Sequence, residues 1–151
     1  MLKKLLNFIL PNKSESVNAI FVKFKTNRIA KEFKELYNKN NDLHELAVDL
    51  SHFIKSTFNK ELVITMIYRT DQEQDDIYKN DPKYKVKKFK SPHQFWQAID
   101  VRSSIFDKLE ISKIEDYLNK KHNSTNYYSW TARCHTVPGQ AYHFHLQFVK
   151  K

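Results

Sequence analysis

SPHQFWQAIDVRS, residues 91–103, alternates in polarity from Phe95 onward and reads as a strand that must be largely buried. Ala98, Ile99 and Val101 are core-type residues, yet Asp100 stands among them. A carboxylate buried in a strand needs a cation or several hydrogen-bond donors. Arg102 shares its face and offers a salt bridge; a metal ion is the other solution. Downstream, YYSWTARCH (127–135) and AYHFHLQFV (141–149) read as two more strands. The turn-forming run Thr136-Val137-Pro138-Gly139 separates them. On the last strand His143 and His145 project from one face, with Tyr142, Phe144 and Leu146 on the other. Two histidines together on one face need a metal or a hydrogen-bonded acid when buried. On an edge strand they could simply face water.

Upstream of residue 91, ELVITMIY (61–68) has the β-branched, apolar composition of a central strand. Asp71 is placed to cap a short helix in DQEQDDIYKN, and residues 79–90, with six lysines and Pro82, read as an exposed loop. NAIFVKFKT (18–26) alternates Ile20, Val22 and Phe24 as a strand does. From Asn27 the period becomes helical, with Ile29, Phe33 and Leu36 on one face. Asn38 to Asn41 interrupt it. A second helix follows, with Asp42 as its expected N-cap and Leu43, Leu46, Ala47, Leu50 and Ile54 as its buried stripe. Residues 110–121 repeat the helical pattern through Ile111, Ile114 and Leu118. Helices first and antiparallel strands later predict an α+β domain over residues 18–151, an antiparallel sheet with flanking helices and a zinc site on one sheet face. Residues 1–17 are expected to be a tail or a short amphipathic helix.

The 151 residues suffice for one compact core. A single glycine, Gly139, nearly excludes folds built on glycine-rich phosphate loops. A single cysteine, Cys134, excludes an intrachain disulfide and is expected in the core rather than on a metal. The apolar run from Leu5 to Leu10 is too short for a signal peptide and lacks a cleavage site, so synthesis in the cytoplasm is expected. No stretch is long enough to span a membrane. The formal charge of +9 favours an anionic partner, whether nucleic acid, acidic lipid or cell-wall polymer, or else reflects a lysine-rich solvated surface.

Three segments resemble a known family: YRTDQEQDDIY, SPHQFWQAID and YHFHLQF. The second is similar to the Ser-x-His-x6-Asp signature of the zinc D-Ala-D-Ala carboxypeptidase and L-alanyl-D-glutamate endopeptidase group, the M15-like peptidases, which share a fold with the hedgehog signalling domain. His-x-His near the C-terminus resembles that group's second half, and the order of the three segments agrees. The resemblance covers roughly residues 60–149. It implies Zn2+ held by His93, Asp100 and His145, a donor set that leaves a fourth position open. It implies that Arg69 binds a substrate carbonyl or carboxylate and that Ser91 helps to position the peptide. The alternative for Arg69, less favoured, is a salt bridge to Asp71 or Asp75.

The sequence departs from the family pattern twice. Trp96 stands where the family has glycine. Gln140 stands nearest to the acid that usually serves as general base, and an amide cannot accept a proton usefully. His143 or His135 must then supply the base, with Gln140 left to touch substrate. The function implied is a monomeric zinc peptidase acting on bacterial peptidoglycan, as a phage endolysin does, on the cell wall or in a virion. A catalytically silent zinc domain with a binding or virion-structural role is the first alternative. A metal-free, basic nucleic-acid-binding protein is the second, and no recognisable nucleic-acid-binding motif supports it.

Overall fold

The computed structural model describes residues 20–137 and 139–151. The expected tail over 1–17, the first residues of the 18–26 strand and Pro138 lie outside the described residues. In chain order the elements are β1 (Val22–Phe24), α1 (Asn27–Lys39), α2 (Asn41–Phe58), β2 (Leu62–Met66), α3 (Asp71–Tyr78), α4 (Pro82–Val86), a 3-10 turn (Pro92–Phe95), β3 (Ala98–Arg102), α5 (Lys108–His122), β4 (Ala132–His135) and β5 (His143–Gln147). The five strands form one sheet in the order β1-β2-β3-β5-β4. The class is α+β, as expected. The sheet is antiparallel except at its first edge, where β1 runs parallel to β2. That pairing follows from the connection, because the α1–α2 pair carries the chain over before β2 begins.

Period-two alternation divides the sheet into two faces. Ile64, Ile99, Val101, Phe144, Leu146 and Cys134 join Leu36, Leu50, Ile54, Ile114 and Leu118 of the helices in the buried core. Cys134 is therefore a core residue, and burial pushes its thiol pKa up. The alternate residues Asp100, His145, His143 and His135 must face the other way. Near β3 that face is covered as well, since four consecutive β3 residues from Ala98 to Val101 are buried.

Several local expectations need correction. Asn40, not Asp42, joins the first two helices. Its N–H donates to Leu36 O at 2.8 Å and its Oδ1 accepts from Leu43 N at 3.1 Å. Its Nδ2 also donates to Trp96 O and Phe148 O, tying the helical pair to the strand layer. Thr70, not Asp71, caps α3, in a reciprocal box with Glu73. Residues 79–90 are not all loop. Asp81 and Pro82 start α4, and Tyr84 is buried with its hydroxyl donating to Asp75 at 2.6 Å. The expected strand over 127–135 is confined to Ala132–His135. The expected strand at 95–103 begins only at Ala98. Before it comes the 3-10 turn, closed by Trp96 in the left-handed conformation at φ 58°.

Candidate metal centre

β3 and β5 are paired so that Asp100 lies opposite His145 and Arg102 opposite His143. A register shift in β2 between Ile64 and Met66 sets Met66 opposite Asp100 and lets the chain leave the sheet beside it. That exit brings Ile67 O to the ring of His93, which is delivered by the 3-10 turn. Ser91 caps this turn. Its Oγ accepts from His93 N at 3.4 Å, and its own N–H donates to Gln94 Oε1 at 2.8 Å. Ser91 thus holds the histidine in place while lining the same cleft.

His93, Asp100 and His145 converge. His93 Nε2 is 3.1 Å and His145 Nδ1 2.9 Å from Asp100 Oδ1, and all three residues are buried. Their donor atoms lie within 4.8 Å of one another. His143 Nε2 approaches the same oxygen at 3.6 Å. Arg102 is exposed and makes no ion pair with Asp100 among the described residues; the arginine that pairs with Asp100 is Arg69.

The tautomers explain what this arrangement requires. A backbone carbonyl can only accept, so His93 Nδ1, 2.8 Å from Ile67 O, must carry the proton. Nε2 then faces Asp100 Oδ1, and when it carries no proton it turns a lone pair toward the carboxylate. His143 repeats the pattern, its Nδ1–H donating to Ala141 O at 2.7 Å. Two imidazole lone pairs directed at a buried carboxylate repel it unless a proton or a metal ion lies between. Burial is the largest single influence on Asp100 and pushes its pKa up. The attraction of His93 and the hydrogen bonds from His145 and His93 outweigh it and hold the carboxyl well below its usual range. That attraction is strongest for charged rings, whereas burial drives the His145 pKa down, toward neutrality. Two imidazoles and a buried carboxylate whose donor atoms converge are the donor set of a divalent-cation site, and the residues fit one.

Arg69 reaches the same cleft from the end of β2. It is only 4% exposed, and its Nη2 is 4.0 Å from Asp100 Oδ2. It does not pair with Asp71 or Asp75, which are taken by Lys90 and Lys88. Its Nη1 donates instead to Gln74 Oε1 at 2.9 Å, and Gln74 Nε2 donates to Phe89 O. The guanidinium Nε is buried, and no hydrogen-bond partner reaches it among the described residues. Gln74, fully buried, was not singled out from the sequence. Its signal was a glutamine on the inner side of α3, one turn after the arginine.

A cleft of about 220 Å3 opens onto the cluster, lined by Arg69, Tyr78, Ser91, His135, Gln140 and His143 among others. A broader cleft of about 410 Å3 adjoins it, sharing Asp100, Gln140 and His143 and adding Lys25 and Arg102. All eight candidate site residues read from the sequence therefore line the smaller of these clefts. Gln140, half-buried, lines both clefts. His135 lies across the strand pair, its ring centroid 5.2 Å from that of His143. Among the described residues no helix is long and apolar enough to cross a membrane. The sequence matches no protein-family model, no curated protein and no solved structure.

Proposed function

We propose that this chain is a zinc-dependent peptidase of bacterial peptidoglycan, with His93, Asp100 and His145 as the ligands. The observation that carries this reading is the buried carboxylate on which His93 and His145 converge, beside an arginine and an open cleft. The resemblance of the three segments to zinc peptidases of the cell wall supplies the substrate class. Zinc, when bound, polarises a carbonyl and makes water more acidic. Arg69 receives the substrate carbonyl or carboxylate through its free Nε and holds the charge that develops during attack. His143 accepts the proton of the attacking water at Nε2 and returns it to the leaving amine, while Ala141 O holds the ring in the tautomer that this requires. Gln140 contributes hydrogen bonds alone.

The test uses untagged protein, since a histidine tag would bind the same metals. The parent should carry one zinc and cleave cross-linked or stem peptides of purified cell wall. His143→Ala should keep the zinc and lose about 10²–10⁴ in rate, the usual contribution of a general base. His145→Ala should lose the metal. Gln140, standing where the resemblance expects an acid, favours a second reading, a zinc domain that binds without hydrolysis. A zinc-loaded parent inert on every wall fragment would establish that reading in place of the first.

A further inference from the structure

We propose that His135, His143 and His145 form a second, all-imidazole seat for a divalent cation, alternative to the seat made with His93 and Asp100. The register places these residues together. His135 on β4 lies directly opposite His143 on β5, and His145 follows two residues later on the same face. Their donor atoms lie within 4.8 Å of one another. The His135 ring is 5.2 Å from that of His143 and 5.6 Å from that of His145, centroid to centroid. His135 Nε2 is buried, and no hydrogen-bond partner reaches it among the described residues. A buried ring nitrogen without a partner is costly, and a cation beside two more imidazoles removes that cost. His143 is already in the required tautomer, since Ala141 O takes its Nδ1–H and leaves Nε2 free.

Three neutral nitrogens without a carboxylate suit zinc, cobalt, nickel or copper and not magnesium or calcium. The two seats share His145, so they exclude one another: a neutral imidazole offers one in-plane lone pair, since its other nitrogen carries the proton. The seat with Asp100 brings a negative charge to the cation and fills first. The trihistidine seat takes the ion when the first is broken. Nothing in this inference depends on hydrolysis, so it stands or falls separately from the peptidase reading.

The experiment titrates untagged protein with zinc and with cobalt(II), reading stoichiometry by metal analysis and ligand field by the visible cobalt spectrum. The parent and His135→Ala should each bind one ion with the same spectrum. Asp100→Ala, shown to be folded by circular dichroism, should still bind one ion with a changed spectrum. Asp100→Ala combined with His135→Ala should bind none. His93→Gln breaks the first seat by a different route and replaces Asp100→Ala if that variant does not fold. A folded first-seat variant that binds no metal overturns the proposal. So does a double variant that binds as the single one does, or a parent that takes up two ions.

Discussion

Trp96 pits backbone against side chain. Its φ of 58° and ψ of 34° lie in the left-handed region, which costs an L-residue roughly 1–2 kcal/mol and which glycine enters freely. The chain accepts this cost because the turn must end there for Ala98 to enter β3. The indole offsets it by stacking on Tyr68, centroids 4.9 Å apart and planes 17° from parallel, and by packing against the core. Burying about two thirds of a tryptophan removes about 150 Å2 from water, or about 4 kcal/mol at ~25 cal/mol per Å2. Trp96→Gly should therefore destabilise by about 1–3 kcal/mol despite relieving the backbone. Urea unfolding decides this, and a variant as stable as the parent would show that the indole contributes little. The sequence pointed to this position, since glycine was the residue expected from the resemblance. It could not show what fills the space, because Tyr68 belongs to a segment 28 residues earlier. Arg69 was legible as a cleft residue. Gln74 was legible only as a glutamine one turn after the arginine, and the carbonyls that fix the histidine tautomers not at all, because main-chain oxygens carry no signature in a sequence.

At the scale of elements, Arg28 fastens α1 to the opening of α3. Its Nε donates to Glu32 at 2.6 Å, its Nη1 and Nη2 both reach Glu73, and Glu32 in turn accepts from Tyr68 N. The site depends on this joint, since Tyr68 and Arg69 lie within it. The hydrogen bond from Arg28 is the main reason that the Glu73 pKa falls to about 2. A depressed carboxyl stabilises the fold above its unfolded pKa near 4.5 and ceases to do so as pH falls toward 2. The Glu73 side chain is about a third exposed, so solvent screening limits the gain to less than about 1 kcal/mol. Glu73→Gln should cost that much at pH 6–7, and the gap to the parent should close between about pH 4.5 and 2. A gap that does not change with pH would mean that Glu73 acts through its cap on α3 alone. The longer helices were read from the sequence while α4 was taken for loop, and the caps of α2 and α3 were misplaced by one or two residues, at Asp42 for Asn40 and at Asp71 for Thr70. Asn-Asn-Asp and Thr-Asp each offer several capping side chains, and only the backbone geometry selects among them.

Over the whole molecule, the strand order is what assembles the centre, and it was the least legible feature. Each of β2, β3 and β5 could be found from composition. Placing β3 between β2 and β5 brings together Arg69, Asp100 and His145 from three separate parts of the chain. A buried aspartate and three buried histidines in one place burden the metal-free fold, since each loses hydration that protein donors replace only in part. A metal ion that binds the folded chain and not the unfolded one should relieve this and raise stability by mass action. With free zinc at 100 times the dissociation constant the gain is about 2.7 kcal/mol, reduced by whatever binding the unfolded histidines retain. For a chain of this length that corresponds to a rise of roughly 5–10 °C in Tm, at about 2–4 °C per kcal/mol. Chelator should reverse the rise. His145 belongs to both donor sets, so His145→Ala should remove the zinc dependence entirely, whereas His135→Ala should leave most of it. A Tm that ignores zinc in the parent, or rises equally in His145→Ala, would show that these four side chains are held together by hydrogen bonds alone.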